Sequence, residues 1–338
     1  MIDLLVAGGG PAGLATALHG ARAGLEVFVV ERRSGPIDKA CGEGLMPHAL
    51  RQLERLGVQA PGRPFHGISY LDGDRHVNAP FRSGPGRGVR RTALRAALLE
   101  AATEAGVRFV HDAVGEVSQD SMSVRVGELR ARYLAAADGL HSPIRRSLCL
   151  ALPCRGPRRW GIRRHVQIEP WTDYVEVHWA LGAEAYVTPV GDDCVGIAIL
   201  TSRRGGFDSH LDEFSALKDR VHDRPHGPDL AAGPLRQKVR SRTAGRVLLV
   251  GDAAGYVDAL TGEGLGIAFG AAELLVGCVI ADRLGDYDRQ WRQVSRRYRL
   301  LTAALLHASA YPPLRSRIVP AATALPKIVA GIVNQLAE

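Results

Sequence analysis

Short apolar runs alternate with a segment of helical period at the start of the chain. Residues Asp3–Ala7 and Leu25–Val30 are mostly apolar rather than alternating, which is typical of buried parallel strands. Between them, residues 11–23 place apolar side chains at helical spacing and stop at Gly24. The pattern predicts a strand–turn–helix–strand unit that ends at Glu31.

Further helices are predicted where a periodic segment ends at a glycine, over residues 47–57 and 91–106. Three short stretches around Val117, Val124 and Leu134 predict a small antiparallel meander. A long helix is expected from about Gly264 to Leu284. From Trp291 the chain is expected to be helical and broken at Pro312, Pro313, Pro320 and Pro326.

Two separated segments, near residues 65–81 and 160–200, are rich in strand-forming residues and in turn signals. We predict that they form one antiparallel sheet. This divides the chain into a discontinuous nucleotide-binding domain (residues 1–64, 91–150 and 236–290), a β-sheet substrate domain (65–90 and 151–235) and a C-terminal helical segment (291–338).

The first strand–helix turn carries the pattern Gly8-x-Gly10-x-x-Gly13. Gly8 permits the tight turn, Gly10 lets backbone approach a pyrophosphate, and Gly13 lets the helix pack on the strand. Glu31 follows the second strand at the distance expected of an acceptor for ribose hydroxyls. Together these features predict a dinucleotide site.

Two distant motifs favour FAD over NAD. Asp138-Gly139 follows one apolar strand, and Gly251-Asp252 follows another. Gly262 then precedes the long helix, whose positive end would stabilise the anionic reduced flavin. In this interpretation Asp252 accepts hydrogen bonds from ribityl hydroxyls.

In order and spacing, these motifs resemble the FAD-dependent family of aromatic hydroxylases, flavin halogenases and geranylgeranyl reductases. The resemblance implies an α/β fold: a glutathione-reductase-like Rossmann FAD-binding domain with an inserted antiparallel β-sheet substrate domain and C-terminal helices. It also places Arg91 beside FAD. The predicted cofactor residues are Gly8, Gly10, Ala12, Gly13, Glu31, Arg32, Cys41, Gly42, Gly44, Arg91, Asp138, Gly139, Gly251, Asp252, Gly262, Glu263, Gly264 and Leu265.

The stretch "KACGEGLMP" is similar to the lysine-x-cysteine-glycine loop of the geranylgeranyl-reductase subgroup. There the cysteine lies near the flavin and faces substrate, so Cys41 is either catalytic or a small packing residue. Tyr186 and Pro189 match the family's strand that ends over the flavin. With His178 they are candidate substrate residues, although alternation leaves open which sheet face meets the flavin.

Two reactions and one non-catalytic role stay open. A monooxygenase would hydroxylate a lipophilic aromatic or polyketide-type molecule through a flavin C4a-hydroperoxide, whereas a reductase would add a hydride to a prenyl or other alkene. We favour hydroxylation because the chain is short for a long isoprenoid tunnel, although Gly255 and Ala259 replace a histidine and a proline common in hydroxylases. These two departures also motivate a flavin-binding protein without activity. No second glycine motif is present, so NAD(P)H would visit transiently or a separate reductase would supply electrons.

Charge and cysteine content add limits. The 338 residues carry a net charge of +8, which favours anionic partners, but the scattered basic residues argue against nucleic acid. Five cysteines without a C-x-x-C pair indicate a reduced, cytoplasmic protein without a metal site. The apolar stretch 317–337 either packs over the substrate tunnel, which we favour, or rests on a membrane surface.

Overall fold

The structure is a computed structural model, and it describes residues 1–156 and 158–337. In chain order its strands are β1 (Ile2–Ala7), β2 (Val27–Val30), β3 (Gly44–Leu45), β4 (Arg63–Phe65), β5 (Gly67–Asp72), β6 (Arg75–Pro80), β7 (Gly86–Gly88), β8 (Arg108–Val110), β9 (Val117–Gln119), β10 (Val124–Val126), β11 (Leu129–Ala136), β12 (Ala151–Leu152), β13 (Trp160–Gln167), β14 (Val175–Ala180), β15 (Ala183–Pro189), β16 (Cys194–Thr201), β17 (Leu230–Ala232), β18 (Lys238–Val239), β19 (Thr243–Ala244) and β20 (Val247–Leu249).

The helices are α1 (Pro11–Arg22), α2 (Pro47–Arg55), α3 (Arg91–Glu104), α4 (Pro143–Ser147), α5 (Phe207–Leu211), α6 (Ser215–Val221), α7 (Gly264–Ile280), α8 (Leu284–Ala310), α9 (Pro312–Ala324) and α10 (Pro326–Ala337). A 3₁₀ helix spans Gly251–Ala254.

The first large sheet has the order β19-β20-β11-β1-β2-β8 along its main path. β1 pairs in parallel with β2 and with β11, and β11 pairs in parallel with β20. β9, β10 and β11 form the predicted antiparallel meander. Because β20, β11, β1 and β2 all point the same way, their carboxyl ends meet at one edge, where ligands of open α/β sheets bind.

The second large sheet has the order β17-β13-β16-β15-β14-β5-β6. Its strands come from the two predicted insertions, which join where β14 pairs with β5. That one pairing is parallel, so the sheet is mixed rather than purely antiparallel. The domain limits given above stay a prediction.

Two features of the C-terminal helices differ from expectation. The helix predicted to reach Leu284 ends at Ile280, and Asp282 then adopts a left-handed φ of 49°. The Tyr133 hydroxyl of β11 donates to Asp282 Oδ1 at 2.6 Å. Tyr133 lies 149 positions earlier in the chain, so the spacing of apolar residues around α7 cannot predict this contact. Pro320 lies inside α9 instead of breaking it.

Apolar packing fixes the two sheets differently. One face of the first sheet packs under α1 and α7, with Leu5, Leu14 and Leu275 in the core. One face of the second sheet packs under α5 and α6 through Phe207 and Leu217. Its opposite face is turned toward the carboxyl edge of the first sheet, so a cavity remains between them.

Candidate active site

A cavity of about 1200 Å³ lies between the two large sheets. Its walls combine the glycine turn after β1, the loop before α2, the start of α7, one face of the second sheet, and parts of α8 and α10. Cavities that hold one small ligand usually measure roughly 300–1000 Å³. This one therefore has room for an extended cofactor and a second molecule.

The turn between β1 and α1 fits a pyrophosphate. A Cβ on Gly13 would lie 1.9 Å from the Gly8 carbonyl oxygen, so the helix start can approach the turn only because residue 13 is glycine. A Cβ on Gly10 would meet nothing within 4 Å, because that position faces the open cavity. No side chain caps α1, which leaves its first N–H groups free to bind an anion.

Glu31 lies at the cavity wall after β2 and is held in place by the glycine turn. Its Oε2 accepts a hydrogen bond from Gly9 N at 3.0 Å, and its Oε1 accepts from Arg33 N at 3.1 Å. Burial alone would raise the pKa of Glu31, but the hydrogen bonds from Arg33 and Gly9 outweigh burial and lower it. The carboxylate is therefore charged at neutral pH and available as an acceptor.

The other two glycine–aspartate motifs reach the same edge from adjacent strands. Asp138 follows β11 and accepts from Ile144 N at 3.0 Å, while Asp252 follows β20. Asp252 is open to the cavity but enclosed by protein, which raises the pKa of its carboxyl, while the positive charges of Arg91 and Lys39 oppose that rise. The start of α7 also lines the cavity, so two helix N-termini point positive ends into one space.

Together these features fit FAD. The α1 terminus and Gly10 would hold the pyrophosphate, Glu31 the adenosine ribose, and Asp252 the ribityl chain. The α7 terminus would face the pyrimidine side of the flavin ring. Except for Gly13 and Glu263, all the cofactor residues predicted from the sequence line this cavity. Gly13 instead serves the close packing described above.

Glu263 was predicted to contact the cofactor, but its side chain does not line the cavity. It is buried, and its Oε2 lies 3.0 Å from His48 Nε2 of α2. Burial raises the pKa of Glu263 well above its usual value and lowers the pKa of His48 to about 4. The contact joins α2 to the start of α7.

Cys41 lies in the cavity wall within the loop that precedes α2. Burial raises the pKa of its thiol, and the nearby charge of Arg91 partly opposes that effect. Glu43 N lies 3.4 Å from Sγ as a weak donor, and Thr188 Oγ1 of β15 donates to the Gly42 carbonyl at 2.8 Å. The second sheet thus holds the cysteine loop through Thr188.

Glu43 is a site residue that the sequence reasoning missed. It has a left-handed φ of 59°, and its buried carboxylate accepts from Arg91 N at 2.9 Å and from His165 Nε2 at 2.6 Å. Arg163 and Arg90 both face His165 Nδ1. Because guanidinium groups only donate, Nδ1 is the acceptor and Nε2 carries the proton. The sequence signal that could have identified Glu43 is an acidic residue between two glycines in "CGEGL". Its partner His165 lies 122 positions away, so the sequence does not reveal their contact.

The second sheet brings only part of the predicted substrate set to the cavity. Tyr186 lines it, and the Tyr186 hydroxyl donates to the Leu260 carbonyl at 2.9 Å. His178 and Pro189 pair with Ala185 and Val195, whose side chains belong to the core on the opposite face. The prediction that they contact substrate is therefore wrong, because strand alternation turns them away. His178 instead lies 2.8 Å from Glu176 Oε2.

A buried cluster of one cation and two carboxylates lies behind Tyr186. Arg159 contacts Glu184 Oε2 at 2.5 Å and Asp258 Oδ2 at 3.2 Å. Burial raises the pKa of Asp258 to about 6. The positive charge of Arg159 opposes this rise, and the negative charge of Glu184 adds to it. The Tyr298 hydroxyl donates to the Asp258 carbonyl at 2.8 Å, so the cluster also anchors α8 beside the cavity.

We predict that Glu31→Ala weakens FAD binding about tenfold, because it removes a charged acceptor and the bond that fixes Gly9. A fluorescence titration of the apoprotein with FAD measures the change. Glu26→Ala is the matched control, since Glu26 is exposed and contacts only the surface side chain Arg108 at 3.6 Å among the ion pairs of the described residues. Equal affinity of Glu31→Ala and wild type would remove Glu31 from the cofactor site.

A second prediction concerns pH. The carboxyl of Asp258 has a pKa near 3.8 when unfolded and about 6 when folded, so the folded protein binds the extra proton between these values. The free energy of unfolding therefore loses a contribution of about 2 kcal/mol as pH rises from 4 to 6. Asp258→Asn should lack this decrease, as measured by denaturant unfolding at several pH values. Parallel pH profiles for the two proteins would contradict the assignment.

Comparisons with known proteins agree with this geometry. Residues 1–186 match a family model described as an FAD binding domain. Menaquinone reductase from Mycobacterium tuberculosis is 30% identical, with 99% of this chain and 91% of that protein aligned. Digeranylgeranylglycerophospholipid reductase 1 from Methanothermobacter thermautotrophicus is 28% identical, with 86% of this chain and 82% of that protein aligned.

Among solved structures, the p-nitrophenol 4-monooxygenase from Pseudomonas putida has a TM-score of 0.84 at 18% identity, and the match covers 100% of this chain and 96% of that one. At this level of identity the similarity shows a shared fold. The predicted α/β fold with a Rossmann-like FAD domain is confirmed. The cavity and these matches lead to one conclusion: the chain belongs to the FAD binding domain family and is an FAD-dependent oxidoreductase.

Proposed function

We propose that this enzyme reduces a carbon–carbon double bond in the prenyl chain of a lipid. The observation that carries the proposal is the position of Cys41, a thiol that stays protonated and lines the same cavity as the predicted cofactor residues and the apolar cluster of the second sheet. The names of the two reductase relatives, one of a quinone and one of a digeranylgeranyl lipid, support the same substrate class.

The apolar part of the cavity suits a hydrocarbon chain. The second sheet contributes Ile68, Val177 and Leu200, and α8 contributes Leu305, all within one apolar cluster. Val333 of α10 extends the lining. Such a surface gains from enclosing an apolar chain by about 25 cal/mol per Å² of buried area, without requiring polar groups on the ligand.

Reduction of an alkene requires a hydride at one carbon and a proton at its neighbour. Reduced FAD supplies the hydride when it is bound. The Cys41 thiol supplies the proton in our proposal, so the π bond is replaced by two C–H bonds. The positive charge of Arg91 and the N–H of Glu43 stabilise the thiolate until it takes a proton from water.

Hydroxylation, which the sequence favoured, stays an alternative prediction. It was preferred because the chain is short for a long apolar tunnel. In the structure, helices α8 and α10 add apolar residues to those of the second sheet, so the apolar wall of the cavity is longer than the sheet alone provides. The electron donor, either transient NAD(P)H or a separate reductase, is part of the proposal and not needed for its first test.

The test begins with the FAD-loaded enzyme photoreduced without oxygen and mixed with a polyprenyl alcohol, which carries the alkene but no quinone ring that the reduced flavin could reduce instead. We expect the oxidised flavin spectrum to return and the product to gain two hydrogens by mass spectrometry. Anaerobic inertness, combined with an oxygen-dependent product that gains one oxygen atom, would overturn the proposal in favour of hydroxylation. Inertness under both conditions would support the non-catalytic role.

We predict that Cys41→Ala slows anaerobic flavin reoxidation by the alkene about 100-fold, because general acid catalysis typically contributes that much or more. FAD affinity should change little, since the side chain only borders the cofactor part. Cys278→Ser is the control, because Cys278 is a buried thiol of α7 that contacts Gln290. An unchanged rate in Cys41→Ala would return Cys41 to a packing role.

A further inference from the structure

The last two helices expose a group of large apolar side chains. Leu314 of α9 is 45% exposed, Leu325 at the junction 53%, and Ile328 and Ile332 of α10 are 56% and 43% exposed. A single exposed leucine is ordinary on a protein surface. Four on two consecutive helices and their junction are more than scattered single residues, and grouped exposed apolar side chains mark interaction sites. We call these four residues the C-terminal apolar face.

Contacts to the second sheet keep this face turned outward. Asn334 is buried, its Nδ2 donates to the Pro80 carbonyl at 2.9 Å, and its Oδ1 accepts from Arg82 N at 2.7 Å. Asn334 therefore points inward, while Ile328 and Ile332 point outward on the same helix as the exposed Lys327. Two exposed isoleucines depart from the arrangement expected for a helix whose outer side meets only water.

The charges around the face favour an anionic partner. From Trp291 to Ala337 the sequence contains seven Lys and Arg residues and no Asp or Glu. Arg317 and Lys327 are exposed on the same two helices, and α8 adds exposed Arg296 and Arg299. Basic side chains next to an anionic bilayer strengthen binding to it.

Neither helix is suited to crossing a bilayer by itself. In the described part of the chain no single helix is long and apolar enough to span, and the apolar segments of α9 and α10 are bent by 102° to each other. At about 1.5 Å per residue each helix is near 20 Å long, shorter than the roughly 30 Å hydrocarbon layer. Arg315 also binds the Ala180 carbonyl at 3.0 Å, which ties α9 to the sheet.

The face is continuous with the cavity. Ile332 is exposed and also lines the cavity, together with Val333 beside it and Ala308 of α8. Ile332 therefore belongs both to the exposed face and to the wall of the cavity.

From these observations we propose that the C-terminal apolar face rests in the interfacial region of an anionic bilayer, and that lipid substrate enters the cavity beside Ile332. The docking surface stands on its own geometry, whereas the entry route rests on the proposed function. The bilayer supplies both properties that the face requires, an apolar layer and a negative surface.

The experiment is co-sedimentation of the FAD-loaded enzyme with phosphatidylcholine vesicles that contain or lack phosphatidylglycerol. We expect binding to the anionic vesicles that weakens with added salt, and about tenfold weaker binding for Ile328→Glu. Ile280→Glu is the matched control, because Ile280 is a helical isoleucine of similar exposure, 57%, at the end of α7. The control should bind as wild type does.

Absence of vesicle binding by wild type, or an equal loss in Ile328→Glu and Ile280→Glu, would overturn the proposal. A second contrary result would be a wild type that is dimeric and does not bind vesicles, together with a monomeric Ile328→Glu variant. The face would then join two copies of this chain. Vesicle binding does not require turnover. If the protein binds anionic vesicles but reduces no alkene, the proposed function is wrong and the proposed docking surface still stands.

Discussion

The buried carboxylate of Glu43 is the contact on which the arrangement of the site depends. It joins the start of α3, through Arg91 N, to β13 of the second sheet, through His165. The residue adopts a left-handed backbone conformation that costs a non-glycine residue about 1 kcal/mol or more, so the charged hydrogen bonds must outweigh that cost. Cys41 lies two residues earlier and takes its position from this anchor.

Polar groups of the first sheet and apolar groups of the second sheet line one cavity. The carboxyl edge of the first sheet supplies two helix N-termini, glycine backbone and the acids Glu31 and Asp252, which suit a long anionic cofactor. The second sheet contributes the apolar side chains of Ile68, Val177 and Leu200 to the same cavity. The division follows from topology, because parallel strands collect loop residues at one edge whereas the face of a sheet presents alternate side chains.

The C-terminal helices serve the interior and the surface at once. α8 carries Leu305 at the cavity and is fixed by Tyr298 at Asp258, while α10 carries Val333 inside and Ile328 outside. A helix that is apolar on both sides would be unstable in water alone. Its inward anchor at Asn334 explains how it keeps a single orientation.

The sequence alone determined the cofactor half of the protein, because its chemistry is local. A glycine turn, the helix that follows it and an acid 21 positions after Gly10 all act through nearby backbone, so spacing reveals them. The fold class followed from the same motifs. The sequence did not determine which face of β14 and β15 meets the cavity, since both faces are largely buried and alternation is symmetric.

Only tertiary structure decided the remaining features. It turned His178 and Pro189 away from the cavity and Tyr186 toward it. It directed Glu263 to His48, ended α7 through Tyr133, and brought His165 to Glu43 across 122 positions. Each of these outcomes depends on a partner remote in the chain, and the pattern of neighbouring residues contains no information about which remote side chain will arrive.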